Sequence, residues 1–251
     1  MKIWLDGKLV EQEEAKTSVF DHGTLYGDGI FEGIRFYNKR VFRLEDHMER
    51  LYDCAHYLLL DIPYTREELS KAVCDTAAAS GLKDGYIRLV VTRGIGNLGL
   101  NPFNCKRPSV FIIADKISLY DPAVYENGLA LITSSVRRNR PDTLCPQVKS
   151  LNYLNNILAK MEAVRQGVAE CTGDNIFIVK DGAVFTPPVT DGCLDGITRR
   201  VVLEICRELQ IPAEEKTMNR FTITCADECF LTGTAAECVP VTKLDAYQLG
   251  S

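Results

Sequence analysis

Long apolar runs are absent from this sequence, and none approaches the roughly 20 residues that a membrane-spanning helix needs. The N-terminus also lacks the apolar core of a secretion signal, because Asp6 and Gly7 follow the first five residues. Basic residues are in deficit, with 29 Lys and Arg against 34 Asp and Glu and a net charge of −5. Since nucleic-acid binding draws on an excess of cations, we expect a cytoplasmic protein with neither a membrane nor a nucleic-acid partner.

The cysteines lack the spacing of a disulfide or zinc framework. There are ten of them, and no C-x-x-C pair occurs. Cys225 and Cys229 lie four residues apart, but only three histidines exist and none follows at zinc-finger spacing. We therefore interpret the cysteines as reduced thiols and predict that no metal is bound. A cysteine-rich metal protein is the weakest functional alternative.

The overall composition is that of a folded protein with two parts. Of the 251 residues, 46% are hydrophobic and 25% are charged, which excludes a disordered or fibrous chain. Strand-like and helix-like stretches alternate, so we predict the α/β (α+β) class. The composition changes at Asp121-Pro122 and again at Asn127-Gly128. We therefore predict a small α/β domain at 1–121, a linker at 122–127 and a larger domain at 128–251.

Local signals predict several individual elements. Asp6-Gly7 and Asp181-Gly182 are typical of hairpin turns between short strands. Apolar residues at helical spacing predict a helix from 44 to 58. Thr65 and Glu68 form a capping-box pattern that predicts the start of a second helix.

A third helix is predicted after Ser150, which we interpret as its N-cap, with Gly167 as its end. Its apolar side consists of Leu151, Leu154, Leu158, Met161 and Val164. Lys149 stands directly before this helix, where the positive end of the helix dipole disfavours a cation. A lysine amine of lowered pKa is what Schiff-base chemistry requires, so Lys149 is a candidate nucleophile. A solvated surface lysine is the alternative, and these residues alone favour it.

Two turns of small residues are candidates for anion binding through their backbone N–H groups. Gly196-Ile197-Thr198 opens a helix predicted at 197–209, and Gly233-Thr234-Ala235-Ala236 follows a predicted strand. An ordinary helix cap and an ordinary strand end are the alternatives.

Arginines accompany apolar residues on two predicted strands. The two-residue period places Arg88 on one face with Tyr86, and it places Phe31 together with Gly33. Such an arginine can bind a carboxylate through its forked guanidinium, or it can lie in solvent at a sheet edge. Arg50 flanks the apolar side of the first predicted helix, where a salt-bridged or solvated charge is the alternative.

Seven segments in a fixed order resemble a single enzyme family. They are YGDGIFEGIRFY, HMERL, DGYIRLVVTRG, KSLNYLNN, AECTGDNIFIVKDG, GITR and LTGTAAE, which begin at residues 26, 47, 84, 149, 169, 196 and 231. Together they closely resemble the class IV aminotransferases, the fold-type IV enzymes that use pyridoxal 5′-phosphate (PLP). KSLNYLNN and GTAAE look most like the branched-chain amino acid aminotransferases. The resemblance implies a small N-terminal α/β sandwich and a larger, barrel-like mixed-sheet domain that binds PLP.

The resemblance also implies roles around the cofactor. Lys149 looks like the lysine that forms the internal aldimine with PLP and then moves the substrate α-proton. Tyr153 looks like the phenol near the cofactor 3′-oxygen. Glu170 looks like the carboxylate that pairs with the pyridinium nitrogen, which keeps PLP an electron sink. The implied phosphate anchors are Arg50, Ile197, Thr198 and Thr234.

The substrate contacts follow from the same resemblance. Thr234, Ala235 and Ala236 resemble the turn whose N–H groups hold the substrate carboxylate. Arg88 resembles the arginine that accepts the distal carboxylate of glutamate. An apolar wall with one arginine at its edge can take leucine and glutamate in turn. The residues that resemble the walls of this side-chain pocket are Tyr26, Phe31, Gly33 and Tyr86.

The implied activity is ping-pong transamination between branched-chain L-amino acids and 2-oxoglutarate in a homodimer or larger homo-oligomer. Two alternatives stay open: a D-amino acid transaminase or aminodeoxychorismate lyase on the same scaffold, and a catalytically impaired PLP-binding paralogue. The sequence departs from the family pattern in two places. A strand and turn are missing between Gly167 and Glu170, and the chain stops at Ser251, before the usual final helix.

Overall fold

The structure is a computed structural model that describes residues 1–166 and 173–250. These residues divide into two compact units. The first consists of Met1–Ile117 and Val148–Asn152, and the second of Ser118–Gln147 and Tyr153–Ser251. Within the described ranges, no helix has the length and apolar character needed to cross a bilayer.

The strands of the first unit form an antiparallel sheet. They are β1 (Lys2–Leu5), β2 (Lys8–Glu11), β3 (Gly29–Tyr37), β4 (Arg40–Val41), β5 (Gly85–Thr92) and β6 (Ser109–Asp115). Their spatial order is β2-β1-β6-β5-β3-β4. The predicted Asp6-Gly7 hairpin turn is confirmed between β1 and β2. Gly7 has a φ of 100°, a left-handed value that favours glycine.

The helices of this unit are α1 (His22–Tyr26), α2 (Leu44–Tyr57) and α3 (Arg66–Ala79). α2 packs on β3, and α3 packs on β1, β5 and β6, so that one face of the sheet is covered by a common core. The capping box predicted for α3 is confirmed. The Thr65 hydroxyl accepts a hydrogen bond from the Glu68 N–H, and the Glu68 carboxylate accepts one from the Thr65 N–H.

Side chains alternate across β3, so neighbouring residues have different surroundings. Ile30 and Glu32 point into the core between sheet and helices, and both are fully buried. Phe31 and Gly33 point to the opposite face, where Arg88 of β5 is the partner of Gly33. The face that the helices leave open therefore carries the predicted pocket residues.

The second unit contains a mixed sheet. Its helices are α4 (Pro122–Asn127), α5 (Leu154–Arg165), α6 (Ile197–Glu208) and α7 (Arg220–Thr224). Of these helices, α4 and α6 pack on the sheet. Its strands are β7 (Leu129–Leu131), β8 (Asn175–Lys180), β9 (Ala183–Thr186), β10 (Ala213–Glu215), β11 (Glu228–Gly233), β12 (Glu237–Leu244) and β13 (Tyr247–Gln248). Their order is β10-β9-β8-β11-β12-β13, with β7 paired to β12. The β9–β10 and β7–β12 pairs are parallel and the others antiparallel, so the predicted α/β (α+β) class is confirmed.

The segment predicted as a linker, 122–127, is instead helix α4. The Asp121 side chain accepts a hydrogen bond from the Ala123 N–H, and Pro122 occupies the first turn. Both features favour a helix start, which explains the difference. The units divide between Ile117 and Ser118, and residues 148–152 return to the first unit.

Helix α5 starts three residues later than predicted, at Leu154, with Tyr153 as its N-cap. Ser150 is not its cap, because Ser150 forms a β-bridge with Ile30 and the N-cap residue is Tyr153. The predicted helix end, Gly167, lies outside the described residues. The predicted apolar side is 45% to 66% exposed at Leu154, Leu158, Met161 and Val164.

The capping box of α3 predicts a measurable contribution to the stability of the first unit. Replacing Thr65→Ala removes the hydroxyl that accepts the Glu68 N–H, so the free energy of unfolding should fall by about 1 kcal/mol. Urea unfolding followed by the fluorescence of Trp4, the only tryptophan and part of this core, measures the change. The Thr65→Ser control keeps the hydroxyl and should resemble the parent. Equal midpoints for Thr65→Ala and the parent would contradict the capping role.

Candidate active site

The Lys149 segment is held against β3 by backbone hydrogen bonds. The Phe31 N–H donates to the Lys149 carbonyl at 3.0 Å, and the Leu151 N–H donates to the Gly29 carbonyl at 2.9 Å. From the other side, the Lys149 N–H donates to the Sγ of Cys54 on α2 at 3.4 Å. Lys149 therefore belongs to a segment that is bonded to the edge of β3 and to α2, and it lies inside a tight turn that the Ser150 N–H closes on the Val148 carbonyl at 2.8 Å. The prediction that it stands directly before a helix N-terminus is wrong, because pairing with β3 prevents helix formation there.

An aromatic ring lies beside two cationic side chains at this point of the sheet. The Nζ of Lys149 lies 4.4 Å from the centre of the Phe31 ring, and the Cζ of Arg88 lies 4.4 Å from the same centre. Arg88 also lies 5.4 Å from the centre of the Tyr86 ring. Cations favour the electron-rich face of an aromatic ring, so Phe31 stabilises both side chains. The structure thus brings four predicted site residues together.

Gly33 leaves room for one of these rings. A Cβ atom added at Gly33 would overlap the hydroxyl group of Tyr86, so a larger residue cannot fit without moving that ring. Tyr86 therefore lies directly over the Gly33 backbone. Tyr26 ends α1, where its hydroxyl donates to the Leu98 carbonyl at 2.5 Å.

Arg50 is neither solvated nor on the surface; it is part of a buried ion cluster on the core side of β3. Its Nε and Nη2 donate to Oε1 and Oε2 of Glu32, each at 2.8 Å. The Nδ1 of His47, one helical turn earlier on α2, lies 2.7 Å from Oε2 of Glu32. Because an ionised carboxylate only accepts, Nδ1 carries the hydrogen of that bond.

The charge state of Glu32 follows from these partners. Burial alone would raise the pKa of its carboxyl, but the Arg50 guanidinium and the His47 hydrogen bond lower it to about 2. Glu32 was not among the predicted site residues. The sequence signal for it is a single charge within the otherwise apolar Phe31–Ile34 part of β3, which none of the sequence predictions used.

In the second unit, the start of α6 suits an anion. Its N-cap is Gly196; no described side chain caps it, and its first turn contains no acidic residue. Ile197 is buried and Thr198 half-buried in that first turn. N–H groups without a side-chain cap, a positive helix dipole and a neighbouring hydroxyl are what a phosphate dianion favours. The residues present therefore fit a phosphate group.

The second small-residue turn closes the β11–β12 hairpin. Gly233 pairs with Glu237, and Thr234, Ala235 and Ala236 form the turn between them. Ala236 is fully buried, while Thr234 and Ala235 are half-buried. This turn places backbone N–H groups at a strand end, as the sequence predicts.

A cavity of about 280 Å³ lies within the second unit. Tyr153, the N-cap residue of α5, lines it together with Asn175 and Arg138. Tyr153 is one of the site residues predicted from the sequence. Arg138 and Asn175 are not, because they lie in a loop and at the start of β8 and match no anion-binding pattern. Glu170, the predicted partner of the pyridinium nitrogen, lies outside the described residues.

Comparison with known families identifies the class of protein. A sequence model of the class IV aminotransferases matches residues 29–244. The match includes the Lys149 segment, both small-residue turns and the β3–β5 pair. The chain therefore belongs to the class IV aminotransferase family.

Several similar proteins are named as branched-chain amino acid aminotransferases. A putative branched-chain-amino-acid aminotransferase of Methanocaldococcus jannaschii is 51% identical over 257 residues, which cover 98% of this chain and 88% of that protein. The crystal structure of the Escherichia coli branched-chain amino acid aminotransferase superposes with a TM-score of 0.95 at 35% identity, covering 100% and 88% of the two chains. The T.th. branched-chain amino acid aminotransferase, solved with N-(5′-phosphopyridoxyl)-L-glutamate, has a TM-score of 0.92 at 37% identity, covering 100% and 87%.

The ion cluster predicts how stability depends on pH. The pKa of Glu32 is lower in the folded chain than its ordinary value of 4.5, so the ionised carboxylate stabilises the fold above pH 4.5. This stabilisation is lost as the pH falls from 4.5 toward 2. The parent should therefore lose about 2 to 3 kcal/mol more unfolding free energy over this interval than a Glu32→Gln variant.

Urea unfolding followed by Trp4 fluorescence at several pH values measures this difference. The Glu49→Gln control removes an exposed carboxylate from the same helix and should keep the parent's acid dependence. A Glu32→Gln variant that loses stability with acid as steeply as the parent would refute the assignment.

Proposed function

We propose that this chain catalyses PLP-dependent transamination between the branched-chain L-amino acids leucine, isoleucine and valine and 2-oxoglutarate. Membership of the class IV aminotransferases supports the reaction type. The branched-chain names of relatives that align with nearly the whole chain support the substrate class. The observation that carries the proposal is the Lys149 ammonium group, which is held over Phe31 by a segment paired with β3.

The chain contains a suitable set of groups for the cofactor. In the second unit, the N–H groups and hydroxyl at Ile197 and Thr198, with the hydroxyl of Thr234, would hold the phosphate. In the first unit, Arg50 would contribute a guanidinium and Lys149 an amine. Tyr153 lines the cavity of the second unit, where its phenol would meet the 3′-oxygen. PLP, when bound, supplies an electron sink for the bond that breaks at the substrate α-carbon.

Lys149 would bind the cofactor and then move the proton between the substrate α-carbon and the cofactor. Its main chain is fixed by hydrogen bonds to Phe31 and Cys54, so only the side-chain torsions need to change during proton transfer. Positioning of this kind reduces the entropy cost of reaching the reactive arrangement. Glu170 would keep the pyridine nitrogen protonated.

One side-chain pocket would serve both half-reactions. Phe31 and Tyr86 offer apolar surface for an aliphatic side chain. Gly33 has no side chain, which leaves room for the Tyr86 ring beside it. Arg88 lies against both rings. When glutamate binds, its guanidinium would turn toward the distal carboxylate and pair with it. When leucine binds, the guanidinium would stay against the rings, so that no buried charge is left unpaired. Tyr26 would complete the wall, and the 234–236 turn would bind the α-carboxylate.

We also propose a cytoplasmic homodimer or larger homo-oligomer. The cysteines within the described residues form no disulfide, which is consistent with a reducing compartment. A D-amino acid transaminase, a lyase or an impaired paralogue would each use the same scaffold. The relatives favour the L-specific branched-chain enzyme, and a comparison of L-leucine with D-alanine as amino donor separates the stereochemical alternatives.

Removing the amine of Lys149 tests the central assignment. The Lys149→Ala variant should lose transamination between L-leucine and 2-oxoglutarate by at least roughly 1,000-fold, because the amine that binds the cofactor and moves the proton is gone. Absorbance of the added PLP before and after L-leucine measures the first half-reaction directly. The Lys83→Ala control removes an exposed lysine and should behave as the parent. Parent-like turnover by Lys149→Ala would refute the proposal.

The guanidinium of Arg88 should matter for one substrate class only. In Arg88→Met, kcat/KM for 2-oxoglutarate should fall roughly 30-fold, because a charge-assisted hydrogen-bonded pair is lost. The value for L-leucine should change by less than about threefold, since leucine has no distal charge. Arg35→Met, on the same sheet face beside Gly33, is the matched control. Equal losses for both substrates would show that Arg88 only supports the fold.

A further inference from the structure

We propose that Glu32 and His47 are positioning residues that hold the Arg50 guanidinium in place for the phosphate of the cofactor. This inference rests on the proposed function, because it takes Arg50 as a phosphate anchor. Neither Glu32 nor His47 belongs to the pocket face of β3. Both act from the core side, through Arg50.

The contacts fix the guanidinium plane in two ways. Nε and Nη2 of Arg50 bind the two oxygens of Glu32 side by side, a bidentate arrangement that allows little rotation. The Nδ1–H of His47 binds Oε2, the same oxygen that accepts from Nη2, and so prevents the carboxylate from turning. A guanidinium is planar and has five N–H donors. Because two of them are held by Glu32, the other N–H groups of Arg50 also point in fixed directions.

Charge explains why these buried side chains pair with one another. Arg50 and Glu32 are 7% and 0% exposed, and an isolated charge at such a site would be strongly unfavourable. The low pKa of Glu32, about 2, means that its carboxylate stays ionised at neutral pH. Arg50 is therefore neutralised and oriented by side chains of its own unit, which lowers the reorganisation that phosphate binding would require.

The same elements also hold the proposed cofactor lysine. Glu32 lies between Phe31 and Gly33 on β3, and the Phe31 N–H binds the Lys149 carbonyl. On α2, one turn after Arg50, the Sγ of Cys54 accepts the Lys149 N–H. The Glu32–Arg50 pair joins β3 to α2 between these two contacts. It therefore sets the position of Arg50 relative to Lys149.

The test compares PLP with pyridoxal, which lacks the phosphate. Absorbance titration of the cofactor-free protein gives both dissociation constants, and their ratio isolates the phosphate contribution. Glu32→Gln should lower this preference for PLP about tenfold, as expected when an ionic hydrogen-bonded anchor is misaligned. His47→Ala, which keeps the Glu32–Arg50 pair, should lower it about threefold, and His47→Asn, which keeps an N–H donor, should restore most of it.

Further variants separate positioning from general stability. In an Arg50→Met background, Glu32→Gln should change the preference no further, because its effect acts through Arg50. Glu49→Gln, on the exposed side of α2, should leave the preference at the parent value. If Glu32→Gln fails to fold, the His47→Ala and His47→Asn pair decides the question.

The outcomes are distinct. A lowered melting temperature with an unchanged preference for PLP in both Glu32→Gln and His47→Ala would overturn the inference and leave a purely structural cluster. A parent protein that binds PLP no better than pyridoxal would instead refute the cofactor assignment in the proposed function.

Discussion

The pairing of residues 149–151 with β3 is the interaction on which the first-unit part of the site depends. Two backbone hydrogen bonds and the Ser150–Ile30 bridge bring a segment from the middle of the chain to a strand near its beginning. Because the main chain is held, the amine of Lys149 lies over the Phe31 ring without help from a helix. The entropy cost of closing a loop grows slowly with its length. The two backbone hydrogen bonds and the bond from the Lys149 N–H to the Sγ of Cys54 can therefore hold this distant segment.

Strand β3 links the site to the core through its alternation. Phe31 and Gly33 face the proposed pocket, while Ile30, Glu32 and Ile34 face α2 and α3. The negative charge of the Glu32 carboxylate is unfavourable in that core unless it is paired. Arg50 and His47 of α2 bind its two oxygens and stabilise the charge. The pocket face and the ion cluster thus share one strand, so a shift in the register of β3 would disturb both.

Elements with strong local signals were predicted well. Asp6-Gly7, Asp181-Gly182 and the Thr65–Glu68 box each specify a turn or cap through the residues themselves, and all are confirmed. The predictions failed where a distant partner or a neglected local signal decided the conformation. Ser150 is a residue type common at helix N-caps but pairs with Ile30. The segment at 122–127 forms a helix because Asp121 and Pro122 favour a helix start.

The sequence by itself determined the family, the fold class and the order of the site motifs, because short segments such as KSLNYLNN and GTAAE need no spatial context to be matched. Only the tertiary structure decided the surroundings of those residues. It placed Arg50 in a buried cluster with Glu32, set Lys149 against β3, and brought Arg88 and Tyr86 to Phe31. These contacts join residues 15 and more positions apart, so they depend on strand pairing and core packing, which no local pattern encodes.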